Sequence, residues 1–144
     1  MNNVSVPPRI GLITLACRDG ERLARIFRAL GWPEAPSSDG DHTVFQTTNG
    51  APVALYGAHH YESAFGPIAD GFRGFTLCIN LASMDEVRAA YEALRELEDV
   101  ELLDEPQEQF WGGGFSWRDP EGNVWDVAWA DGSTFDDRGG LRFP

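Results

Sequence analysis

The sequence predicts an α+β fold in which one strand–helix–strands unit is given twice. Two amphipathic helix patterns recur 64 residues apart, two hairpin patterns recur 72 residues apart, and an apolar strand precedes each helix. A unit of this size cannot bury its sheet alone. It can pack that sheet on its own helix and pair with its twin.

The elements follow in order. IGLITLAC (10–17) reads as a strand. Asp19 stands where it can cap GERLARIFRAL, and Gly31 followed by Pro33 ends that run. Leu23, Ile26, Phe27 and Leu30 fall on one helical face. In TVFQTTNGAPVALYG, Asn49-Gly50 is a hairpin turn signal. The second unit opens with the strand GFTLCIN (74–80), then Ser83 with Glu86 as a capping box and the face Val87, Ala90, Tyr91, Leu94. It closes with FSWRDPEGNVWDVAW (115–129), two strands around the turn formers Asp119 to Asn123. The hairpin offset places Gly50 on Gly122, Phe45 on Trp117, Val53 on Trp125 and Leu55 on Val127. A weaker strand in each unit is expected around 36–40 and 99–104. One domain, 1–144, thus divides into module one (about 8–57), a Gly/Pro-containing linking loop (about 58–72), module two (about 73–130) and a tail (131–144).

Composition narrows the function. A formal net charge of −12 disfavours nucleic acid as a partner. No apolar run reaches membrane-spanning length, and MNNVSVPPRIG has no leader pattern, so no membrane and a cytoplasmic location are expected. Cys17 and Cys78 lack CxxC spacing and read as buried free thiols.

LITLACRD, FRALGW and DPEGNVWDVAW, together with the doubled unit, resemble the vicinal oxygen chelate superfamily of glyoxalases, bleomycin-resistance proteins and extradiol dioxygenases. WGGGFSWRDPEGNVWDVAWAD is similar to a glyoxalase-like bacterial subgroup of undefined activity. The resemblance implies a curved sheet around a cleft, with the helices outside. In metal-dependent relatives two or three His, Gln or Glu side chains in that cleft hold a divalent ion. The corresponding positions here are Leu12, Gly74, Ala54 and Asp126, of which only Asp126 can coordinate. Several donors must converge at about 2.0–2.6 Å to hold such an ion. The resemblance therefore implies a lost metal site, no cofactor and no assigned catalytic residue. His59, His60 and Glu62 are alternative ligands on the linking loop, and His42 reads as a surface residue by a turn. Arg118 and Asp119 read as a turn salt bridge.

Strand alternation and the family pattern place Thr14, Gln46, Tyr56, Thr76, Ser116 and Asp126 on the cleft side. Trp111, ahead of three glycines, is either an aromatic flap at the cleft mouth or a core residue. These residues suit a small, partly apolar ligand held by hydrogen bonds and stacking. The leading reading is a small-molecule-binding homodimer, on the pattern of bleomycin-resistance proteins, holding a cationic or aromatic ligand. The alternatives are a metal-dependent lyase, isomerase or dioxygenase with non-standard ligands, a metal-free enzyme with Asp126 as base, and a structural dimer.

Overall fold

The computed structural model describes residues 5–48 and 50–144. The first four residues, and the Asn49 half of the first hairpin signal, lie outside the described residues. Module one comprises β1 (Ile13–Cys17), α1 (Gly20–Ala29), β2 (His42–Phe45) and β3 (Val53–Gly57). Helix α2 (Ala58–Phe65) follows. Module two contains β4 (Leu77–Asn80), α3 (Met84–Arg95), β5 (Glu101–Leu102), β6 (Gln107–Gln109), β7 (Gly112–Arg118) and β8 (Val124–Ala130). In the tail, β9 (Thr134–Phe135) pairs with β10 (Leu141–Arg142). Among the described residues no helix is long and apolar enough to cross a membrane.

The duplication is visible in the register. One sheet has the order β1-β3-β2 and the other β4-β8-β7-β5, with β6 also on β7. In each, the first strand runs parallel to the last and the other pairs are antiparallel. Thr14 lies opposite Ala54, and Cys78 lies opposite Asp126, so the strand offsets are the same 64 and 72 residues. This register corrects one correspondence. The residue matching Leu12 is Thr76, not Gly74.

A single core joins the modules. Leu23, Ile26 and Phe27 of α1 and Val87 and Leu94 of α3 are buried, with Leu30, Ala90 and Tyr91 packed at its margin. Phe27 meets Phe45 of its own module at 5.3 Å and Trp125 of the other at 5.4 Å, measured between ring centres. Trp117 stacks on Trp125 at 5.5 Å. Burial of these rings takes large apolar area out of water where the halves meet.

Helix starts are satisfied in two ways. Ser83 accepts the Glu86 N–H, as the capping box predicts, while Glu86 reaches back one residue further, to the Ala82 N–H. Asp19 makes no side-chain cap. Instead the buried Glu121 carboxylate of module two accepts the N–H groups of Arg18 at 2.6 Å and Asp19 at 2.9 Å. An acid at a helix N-terminus complements both the free donors and the dipole. The expected Arg118–Asp119 bridge is absent from the described pairs, because Arg118 reaches Glu101 at 2.8 Å across the strand pair.

Two loop readings are corrected. The linking segment opens with α2, since AHHYESAF holds no breaker and the helix stops at Gly66 before Pro67. In module one the expected strand at 36–40 is reduced to one bridge, Glu34 with Phe45, while β5 answers to the one at 99–104.

Candidate functional site

Side chains that point away from the core form the face on which the candidate residues were placed. In module two, Cys78, Asp126 and Ser116 lie side by side across β4, β8 and β7. The Ser116 hydroxyl donates to Asp126 at 2.6 Å, and the Ser116 N–H donates to Asp104 at 2.6 Å. Asp126 is half-buried. The same face continues through Asn80, Ala128 and Gly114. In module one the corresponding face carries Thr14, Ala54 and Val44 in one row and Ala16, Tyr56 and His42 in the next.

Of the predicted residues, the structure binds Ser116 to Asp126 directly. Thr76 is exposed just ahead of β4, and Thr14 and Tyr56 share the module-one face. Gln46 is exposed past the end of β2, its N–H donated to Pro33. Trp111 sits in the turn between β6 and β7, 43% exposed, so it is not a core residue. The flap reading does not survive. Gly112, Gly113 and Gly114 lie inside β7, paired on both sides. A Cβ at Gly112 would come within 1.9 Å of the Trp129 carbonyl, so these glycines permit close approach and are not a hinge.

The thiols differ from expectation. Cys17 is buried, but Cys78 is exposed on the Asp126 face. Desolvation pushes the Cys78 thiol up to about 11, and the Asp126 carboxylate adds to the rise. Asp126→Asn is therefore expected to speed iodoacetamide alkylation of Cys78 at mildly alkaline pH, by roughly two- to fivefold. A rate unchanged by the substitution would mean that Asp126 does not act on this thiol.

The family metal does not fit this face. The four corresponding positions are Leu12, which is exposed, Thr76, Ala54, which is fully buried, and Asp126, which is engaged by Ser116. One carboxylate and one hydroxyl are not a divalent-ion donor set.

A concavity of about 600 Å³ lies elsewhere, where the start of α1 meets the ends of β2 and β3 and the first turn of α2. Its walls include Cys17, Glu21, Arg28, Asp41, His59 and Glu62, and of the predicted face residues only Tyr56 reaches it. Arg28 bonds Glu21 at 2.8 Å and Glu34 at 3.0 Å, which holds the Glu34 carboxyl below its usual range. Two histidine readings change here. His42 is half-buried in β2, edge-on to Tyr56 at 5.1 Å, and His59 and His60 open α2 instead of lying on a loop. Their proximity to Asp41 was not legible, because it joins the start of β2 to residues 18 and 19 positions later.

Two strand–helix–strands modules, each with its first strand parallel to its last, define the class of fold. The sequence matches the profile of the Glyoxalase/Bleomycin resistance protein/Dioxygenase superfamily over residues 9–127, and the chain belongs to that superfamily. Solved structures agree on the fold. A glyoxalase-related enzyme from Fulvimarina pelagi superposes with a TM-score of 0.82 at 21% identity, covering 95% of this chain and 99% of that one. A glyoxalase/bleomycin resistance protein/dioxygenase family enzyme from Burkholderia phytofirmans gives 0.75 at 16% identity, over 85% and 98%. Lactoylglutathione lyase from Agrobacterium tumefaciens gives 0.67 at 17%, over 87% and 96%. No curated protein matches the sequence.

Proposed function

We propose that this chain is a small-molecule-binding member of the superfamily that holds a cationic or aromatic ligand on the face around Asp126 without a metal at the family position. The observation that carries the reading is the donor set. Three of the four family ligand positions hold Leu12, Thr76 and Ala54, while Asp126 keeps a carboxylate beside Ser116. Thr14, Thr76 and Ser116 supply hydroxyls, Gln46 an amide, and Tyr56 and Trp111 aromatic area. A half-buried carboxylate beside a hydroxyl suits a positively charged ligand, and the aromatic residues would have to be brought to it by that ligand's apolar part.

Asp126→Asn keeps the shape and removes the charge. Folding should be nearly unchanged, while binding of a cationic aromatic compound found by tryptophan-fluorescence screening should weaken by roughly 1–3 kcal/mol. Loss of folding would make Asp126 a structural residue, and undiminished binding would make it a bystander.

A homodimer is part of the proposal. β1 and β4 are edge strands, and Leu12, Phe72 and Phe75 near them are exposed. A second copy would cover both. Light scattering at micromolar concentration should give about twice the 15.9 kDa chain mass, and a monomer mass would count against it. The second reading, an enzyme using non-family metal ligands, is favoured by one observation, the convergence of Asp41, His59 and His60.

A further inference from the structure

Asp41, His59 and His60 bring one carboxylate and two imidazoles together at the end of the module-one sheet. One ligating atom from each lies within 4.8 Å of the others. One Asp41 oxygen pairs with His60 Nε2. The other faces His59, as the space above Gly57 shows. A Cβ placed on Gly57 would lie 2.3 Å from Asp41 Oδ1 and 2.9 Å from His59 Nδ1. An Asp–His ion pair accounts for the first contact and not for the second imidazole converging on the same carboxylate.

The groups are held in place. Asp39 accepts the N–H groups of Asp41 at 2.8 Å and His42 at 2.9 Å, and the Gly57 N–H donates to the Asp41 carbonyl at 3.1 Å. The His60 ring stacks on Tyr56 at 4.1 Å with planes 5° apart. The cluster is also accessible. Asp41 and His59 line the 600 Å³ concavity, and Glu62, three residues along α2 from His59, lines it too. It is a candidate for a further donor.

We propose that Asp41, His59 and His60 bind a divalent transition ion of the Zn²⁺ class, with coordination left open toward the concavity for Glu62 or an exogenous ligand. Two imidazole nitrogens and a carboxylate oxygen are a borderline donor set that suits Zn²⁺, Co²⁺ or Ni²⁺ over Mg²⁺ or Ca²⁺. This site is distinct from the family position. It does not depend on the ligand reading at Asp126.

The test uses the full chain without a polyhistidine tag, stripped with chelator and titrated with Zn²⁺ by calorimetry. One ion per chain is expected to bind, with His59→Ala, His60→Ala and Asp41→Asn each weakening uptake by about tenfold or more. Gly57→Ala should act in the same direction while leaving the circular dichroism unchanged. Gly57 has φ −54° and ψ 128°, which alanine adopts freely, so only Asp41 and His59 need move. Asp126→Asn should leave uptake intact. Because the chain has three histidines, imidazole NMR of the wild type adds a readout that needs no variant. Zn²⁺ should shift His59 and His60 and leave His42 nearly unmoved. No uptake at micromolar Zn²⁺, or uptake undiminished in both histidine variants, would overturn the site. Uptake lost with Asp126→Asn and kept in the histidine variants would overturn the site and the metal-free reading of the Asp126 face together.

Discussion

Asp119→Ala is expected to lower the unfolding free energy by about 3–5 kcal/mol, enough to leave a domain of this size barely folded. The Asp119 carboxylate is 3% exposed and accepts four hydrogen bonds. Oδ1 takes the N–H groups of Glu121 at 2.9 Å and Asn123 at 3.0 Å. Oδ2 takes Asn123 Nδ2 at 2.9 Å and the Trp125 indole N–H at 3.0 Å. Alanine would strand these buried donors at once, and Trp125 is the ring on which the two modules meet. Asp119→Asn keeps one oxygen but turns an amide toward two donors, so it should fall between wild type and alanine. Urea denaturation measures both. A loss below about 1 kcal/mol for Asp119→Ala would show that water replaces the carboxylate, and the turn would not be the support inferred here.

That carboxylate also shows what the sequence could and could not disclose. Asp119-Pro120-Glu121-Gly122-Asn123 was legible as a turn, because Gly122 takes φ 89° and the flanking strands alternate. The duplication was legible for a similar local reason, since helix faces and hairpin signals keep their spacing under any packing. The partners across the chain were not. Glu121 serves the start of α1 from 102 residues away, a contact that no periodicity encodes. The glycines of FWGGG suggested mobility because flexibility and close approach ask for the same residue. Only the Trp129 and Val127 carbonyls beside them decide for close approach. At the candidate site, alternation placed Ser116 and Asp126 on one face correctly, since both lie in long paired strands. It could not place His59 and His60, whose neighbours depend on where a helix begins.

The module junction should also make the protein sensitive to alkali. Burial pushes the Cys17 thiol from its ordinary value near 9 up to about 12, and the nearby Glu121 and then Asp119 carboxylates push in the same direction. Cys17 is 3% exposed, so little solvent relieves the effect. The folded chain thus holds this proton more tightly than the unfolded chain does. Its contribution is fully present below about pH 9 and is lost as pH rises toward 12, at about 1.4 kcal/mol per pH unit. Between pH 9 and 11 the expected loss is on the order of 2–3 kcal/mol. The chain has eleven arginines and no lysine, so no lysine titration overlaps this window. Urea midpoints at pH 8, 9.5 and 11 should fall steeply for wild type. They should fall less for Cys17→Ala, whatever that variant loses in packing at pH 8. Cys78→Ala is the control, since its exposed thiol should contribute less. Equal slopes for wild type and Cys17→Ala would assign the alkaline loss to other groups and sever Cys17 from the charges at the junction. If the slope does flatten, Glu121→Gln should flatten it in part as well, because removing that carboxylate removes the largest of the charges that hold the proton on Cys17.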